Sequence, residues 1–369
     1  MQIRAGILLC LIGLFAGASS AAPPLAGEPV GGERWPGLQV VQADRSGNVY
    51  FLRGESYSVY PVGKKGMLGE PVKLERTVQG PAPRIAVMSP SGRQWLMVDG
   101  PRLRFFEDGK EKTLPPLNWP PQSIGFRRDV PVVTTLPIPL TVQDKEGTEL
   151  PFLVELSGDR WSVVTRFSGV TPDVAAAALK DGSFNDLFSS ASVSLTSDRQ
   201  GRLWVSNQYG YKIQRLSPGG KVLFTLSLDG GKPHKKREVP SSIEIKRSAG
   251  QNPVSATTNP KEEKGTFHPF AYSSVIYASC EGRDGNLYFL TAAADDNLAL
   301  DRYNFVESTL ERAALSLPWK GSTSMAAGKD ALYFAAYNGE KGRSRIAWDA
   351  LEQAVWRKLD FESAASDED

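Results

Sequence analysis

The 369-residue chain is poor in cysteine and histidine, with two of each. Cys10 lies in an apolar N-terminal stretch and Cys280 in "VIYASCEG", so loss of the N-terminus leaves no intrachain disulfide framework. Cys280 reads as a small buried hydrophobe of an apolar strand. A three-histidine metal centre cannot be assembled from His234 and His268. Charge of one sign is also lacking. Lys and Arg number 43 against 41 Asp and Glu, a net charge of +2. That balance excludes the dominant basic face that a nucleic-acid binder needs. Beyond the first 16 residues no run is long and apolar enough to span a bilayer. No Ser-His-Asp spacing, Walker loop or dinucleotide fingerprint occurs, so the common catalytic motifs are missing.

What is present begins with an export signature. Arg4 supplies a positive n-region, residues 7–16 a short apolar core, and "GASSAAPP" a small-residue cleavage region. Residues 1–22 are therefore expected to be a signal peptide, cut after Ala21 or Ala22. The expected product is secreted or periplasmic and has no stable membrane span.

Glycine (35) and proline (26) together make up about one residue in six, above the usual roughly 12%. They are spread along the chain, as short strands joined by tight turns require. Five segments share one pattern: a polar turn, a strand opening on an apolar or aromatic pair, a polar loop and a second alternating strand. The pairs are Val49-Tyr50, Gln94-Trp95, Leu203-Trp204, Leu287-Tyr288 and Leu332-Tyr333. Successive units recur at about 45 residues, the period of a propeller blade. A sixth, degenerate unit lies between residues 123 and 167, with three strands expected from "SIGFRRDVPVVTTLPIPL", "PFLVELSGD" and "RWSVVTRF". The expected fold is all-β: a six-bladed β-propeller of four-stranded antiparallel blades, one domain over 23–361, followed by an acidic disordered tail at 362–369.

The unit at 198–226 resembles the NHL repeat of six-bladed propellers. The matching residues are Asp198, Gly201, Leu203-Trp204-Val205, Asn207, Ile213, Arg215-Leu216-Ser217 and Gly220. The resemblance is partial at 44–62 and 281–305. It implies a blade and is nearly silent about activity. Lyases built on NHL-type propellers use three histidines, which this chain cannot supply. More distantly, the chain is similar to gluconolactonase-like propellers, which bind a divalent cation at the channel mouth through acidic and amide oxygens. That resemblance implies Asp295, Asp296 and Asn297 as ligands of calcium or zinc in a metal-dependent lactonase or hydrolase. Without it, no cofactor is expected.

The two long insertions, about 168–192 and 229–268, fall between blades and so emerge on one face. In the first, Thr171 or Asp173 is expected to cap a short helix carrying Val174, Ala177, Ala178 and Leu179. The second is polar and weakly patterned, and is expected to be a solvated loop with a basic stretch at Lys235, Lys236 and Arg237. Asn207, Tyr209, Tyr211, Tyr337 and Asn338 are expected on the same face, a mixture suited to peptide or polysaccharide recognition. The first-turn residues, Asp44 and Asp198 among them, belong to the opposite face and are expected to cap their own turns. The reading that follows is an exported, non-catalytic propeller that binds a protein, peptide or polysaccharide through its insertion-bearing face.

Overall fold

The computed structural model describes residues 23–365 apart from 32–34, 36, 78–81, 101, 139–146, 182, 233–242, 248–262, 268–274, 293–296, 320–322 and 337–341. Six antiparallel sheets stand in a ring, each with four strands in meander order. Blade 1 comprises Gln39–Ala43, Val49–Arg53, Ser58–Pro61 and Val72–Lys73. Blade 2 comprises Ile85–Met88, Gln94–Asp99, Arg102–Glu107 and Lys110–Lys112. Blade 3 comprises Pro121–Arg127, Val130–Thr135, Pro151–Ser157 and Arg160–Arg166. Blade 4 comprises Val193–Ser197, Leu203–Asn207, Lys212–Leu216 and Val222–Ser227. Blade 5 comprises Ile276–Glu281, Leu287–Ala292, Leu298–Asn304 and Thr309–Ser316. Blade 6 takes Thr323–Ala327, Ala331–Ala336 and Arg343–Ala347 from late in the chain, and its fourth strand, Glu28–Pro29, from the N-terminal region.

Blade 4 shows how local sequence sets this geometry. The Asp198 carboxylate accepts the backbone N–H of Gln200 (3.0 Å) and of Arg202 (2.8 Å), which closes the turn between its first two strands. Strand alternation then sends Leu203 toward blade 3 and Trp204 toward blade 5. Leu203 packs with Val132 and Leu153, whereas Trp204 packs with Leu287, Phe289 and Tyr303. The Trp204 indole N–H also donates to Asp198 at 3.0 Å. Tyr288 and Tyr333 likewise face their following blades, against Trp348 and Phe51.

Trp95 breaks this pattern. The bond closing the blade 2 turn runs from Ser89 N to Gln94 O, one residue wider than Asp198 N to Arg202 O in blade 4. A one-residue change inverts the side-chain parity of the following strand. Trp95 therefore packs back against Leu38, Val40 and Leu52 of blade 1, and Leu96 faces blade 3. The degenerate unit differs from expectation as well. Its first segment is a two-strand hairpin turned at Arg128 and Asp129, with Arg128 at φ 57°, so the unit holds four strands rather than three. No glycine marks that turn in the sequence.

The ring closes through the N-terminal strand. Glu28 pairs with Arg345 and Pro29 with Ser344. Arg343, 4% exposed, lies 3.7 Å over the Trp35 ring and donates to Val30 O (3.2 Å) and Gln39 Oε1 (3.1 Å). Leu25–Ala26 adds in parallel to blade 5, so this short segment joins blades 5 and 6. The C-terminal segment runs back the other way: Arg357–Leu359 adds to the outer edge of blade 5, and Glu362–Ala365 to that of blade 4. The expected disordered tail is thus a strand over 362–365. Its hydrogen-bonding template, the edge strand Val222–Ser227, lies far away in sequence.

Candidate functional site

Both insertions link a fourth strand to the next first strand, so both leave from the face that carries the loops between second and third strands. The first forms two helices, α1 (Pro172–Asp181) and α2 (Phe184–Ala191). Thr171 caps α1: its hydroxyl accepts the Val174 N–H at 3.3 Å and its carbonyl the Ala175 N–H. Ala175 and Ala178 are the buried side chains of α1, and Val170, Ala175 and Leu187 pack on Leu150 at the end of blade 3. Val174 and Leu179 are 47% and 48% exposed.

Asn207 holds this insertion in place. Its amide nitrogen donates to the α2 carbonyls of Ser189 (3.2 Å) and Ser190 (2.9 Å). Its amide oxygen accepts the N–H groups of Tyr209 (2.9 Å) and Gly210 (2.7 Å). Tyr209 stays partly exposed on this face. Tyr211 does not: it is 1% exposed, and its hydroxyl donates to Asp301 of blade 5 at 2.9 Å. Burial, reinforced by the Asp301 charge, raises the Tyr211 phenol well above its ordinary range. The placement on the rim is corrected by this burial: the loop between the second and third strands turns the ring inward.

Two segments of the second insertion are strands. Ile243–Arg247 pairs antiparallel with Glu263–Phe267, a hairpin where a solvated loop is expected. Lys235, Lys236, Arg237, Tyr337, Asn338, Asp295 and Asp296 lie outside the described residues. Asn297 is exposed at the start of the third strand of blade 5. Among the described residues, no three His, Cys, Asp or Glu side chains come together to hold a metal ion. No described helix is long and apolar enough to cross a membrane.

On the opposite face the first turns bond across the blade junctions. Arg45 N donates to Pro90 O (2.7 Å), Ser91 N to Asp129 (2.9 Å) and Arg128 N to Gly201 O (3.1 Å). Arg199 N donates to Glu281 (2.6 Å), Arg283 to Glu352 (2.8 Å) and Lys329 N to Gly47 O (3.1 Å). These contacts surround a central cavity of about 120 Å³, lined by Asp44, Arg45, Asp198, Arg199, Cys280 and Glu281 among others. That is below the roughly 300 Å³ at which small-molecule pockets begin. Asp44 and Asp198 are engaged by their own turns, as the sequence predicts. Burial pushes the Cys280 thiol far up, which leaves it protonated and unreactive at neutral pH. Burial also raises the Glu281 carboxyl, against the pull of the Arg199 N–H and guanidinium.

The residues that sequence reading missed lie on this opposite face, between blades 3 and 4. Arg127, Arg128, Arg202 and Arg215 line a cleft of about 430 Å³ with an apolar floor. The arginines are scattered over two repeat units in the sequence, and only the register of the two blades brings them together.

The chain is thus a six-bladed β-propeller with both of its large insertions on one face. No protein-family model matches it, and no curated protein matches it. Solved propellers do. A catalytically inactive variant of virginiamycin B lyase from Staphylococcus aureus, bound to quinupristin, is 12% identical. It covers 87% of this chain and 98% of its own, with a TM-score of 0.45. A protein of unknown function from Bacteroides thetaiotaomicron is 8% identical, covering 87% of this chain and 72% of its own, with a TM-score of 0.47. A Bacteroides fragilis chain described as an exported protein is 6% identical, covering 84% and 82%, with a TM-score of 0.47. These are likenesses to other proteins at low identity, and the lyase's chemistry remains the lyase's.

Proposed function

We propose that this protein is an exported, non-catalytic propeller that captures a protein, peptide or polysaccharide of the cell envelope or exterior on its insertion-bearing face. The observation that carries the reading is the placement of both large insertions on that face. Enlarged loops on a rigid frame are where binding usually resides. Val174 and Leu179, the exposed large apolar side chains of α1, supply anchors on that face, and Tyr209 is partly exposed there as well. The basic stretch Lys235, Lys236 and Arg237 supplies charge for an acidic partner.

The test is binding of the purified protein to separated envelope polysaccharide and envelope protein fractions, run beside a lactone-hydrolysis assay with calcium or zinc. Val174→Asp with Leu179→Asp is expected to reduce retention on one fraction about tenfold or more, with the thermal midpoint nearly unchanged because both side chains are exposed. Turnover of a lactone that needs the metal and disappears in Asp295→Asn, Asp296→Asn would replace the binding role with a hydrolase.

A further inference from the structure

At the cleft between blades 3 and 4 the second strand of blade 3 supplies no aromatic side chain. Blades 4, 5 and 6 send Trp204, Tyr288 and Tyr333 from the second strand into the junction with the following blade. Blade 3 has Val130 at the opening of that strand, and it is 37% exposed. A space of about 430 Å³ opens beside Val130 on the face opposite the insertions. That volume lies within the range of small-molecule pockets, about 300–1,000 Å³.

The lining is two-natured. Leu203 (2% exposed) and Leu216 (6%) form a floor together with Leu223 and Pro218. Around it stand four arginines, and among the described residues no acidic side chain lines the cleft. Arg127 is fixed in place by the Glu155 carboxylate and the Pro218 carbonyl. Arg202 is held through Nε by Asp198 and keeps 40% of its side chain exposed. Arg128 lies over Gly201: a Cβ on that glycine would meet Arg128 Cγ at 2.6 Å and its Cα at 2.9 Å. The glycine therefore lets the Arg128 turn close down on the rim. A guanidinium presents a planar fork of donors that matches a carboxylate.

We propose that this cleft binds a small carboxylate carried on an apolar chain or ring, with the apolar body on Leu203 and Leu216 and the carboxylate at the arginine rim. The site is separate from the insertion-bearing face, and its failure leaves the proposed capture role untouched. It requires no chemistry from the protein.

Isothermal titration of the full chain with sodium decanoate, against decanol as the uncharged twin, tests this directly. Decanoate is expected to bind at one site, about tenfold or more tighter than decanol, because hydrogen bonds to a charged group carry that margin. Arg128→Asn keeps a residue that tolerates the left-handed turn while removing the guanidinium. It is expected to weaken decanoate about tenfold at an unchanged thermal midpoint. Val130→Trp places an aromatic ring in that space and is expected to abolish binding. Equal affinity for decanoate and decanol, or decanoate binding unchanged in both variants, overturns the proposal. A chain ending at Ala365 that binds about tenfold tighter than the full chain also overturns it, by assigning the cleft to the protein's own Asp367, Glu368 and Asp369.

Discussion

The Tyr211 hydroxyl donates to Asp301 across the junction of blades 4 and 5, and the same carboxylate takes two bonds from Arg312, at 2.7 and 2.8 Å. Asp301 is fully buried, so these three residues form a closed polar network inside an apolar junction. A buried carboxylate is tolerable only when hydrogen bonds and charge compensate its lost hydration.

Tyr211→Phe tests that network. It removes one donor and leaves the Arg312 pair intact, so the expected cost is about 1–3 kcal/mol. Urea unfolding should show a lower midpoint with the same slope. An unchanged midpoint would place Tyr211 outside the stabilising network.

Trp204 combines apolar burial with its bond to Asp198. Trp204→Ala is expected to cost about 3–5 kcal/mol, the usual range for a large core aromatic. Trp204→Phe keeps most of the packing, and its expected cost is about 1–2 kcal/mol for the lost indole donor. Equal losses in the two variants would show that the indole N–H, rather than the ring, is what matters.

Ring closure rests on Arg343. Arg343→Met removes the stacked cation over Trp35 and the donors to Val30 O and Gln39, at an expected cost of about 3 kcal/mol. Hydrogen exchange should then quicken first in Arg343–Ala347, the partner of Glu28–Pro29. Loss of protection spread evenly over all six blades would contradict a local closure.

Glu281 carries a pH signature. Its carboxyl is raised in the folded chain, chiefly by burial, from an ordinary value of 4.5. Just above that pH the folded state binds more protons than the unfolded state, so this group's contribution to stability falls as pH rises through the window. Glu281→Gln keeps an oxygen for the Arg199 N–H and removes the titration. Its thermal midpoint, relative to the unaltered protein, is expected to climb as pH rises from about 4.5 toward 7. A constant difference across that range would mean Glu281 titrates as it does in the unfolded chain.

Much of the fold is legible in the sequence because a blade is a local object. Its turns and alternating strands lie within about 45 residues, and Asp198, Gly201 and Trp204 each act as their neighbours dictate. What is not legible depends on contacts distant in sequence or on parity. Gln94-Trp95 looks like Leu203-Trp204, yet one extra turn residue sends Trp95 to the other side of its blade. Glu28–Pro29 and Glu362–Ala365 carry almost no strand pattern, because the partners that order them lie 135 and more positions away in blade 6 or in blade 4's outer strand. Tyr211 reads as a rim aromatic until Asp301, 90 positions on, accepts its hydroxyl. The arginine cleft is invisible for a related reason: its arginines come from two blades, and only the packing of those blades brings them together.

The most direct measurement of the capture role is salt-dependent co-sedimentation of the purified protein with envelope fractions. The unaltered protein is compared with a variant carrying Ser at 235, 236 and 237. The expected result is weaker sedimentation of the variant, with the gap widest at low ionic strength, where exposed charges are least screened. Asp295→Asn, Asp296→Asn should sediment like the unaltered protein. Equal sedimentation of all forms at every salt concentration, together with metal-dependent lactone hydrolysis that the aspartate variant loses, would contradict capture by the insertion-bearing face.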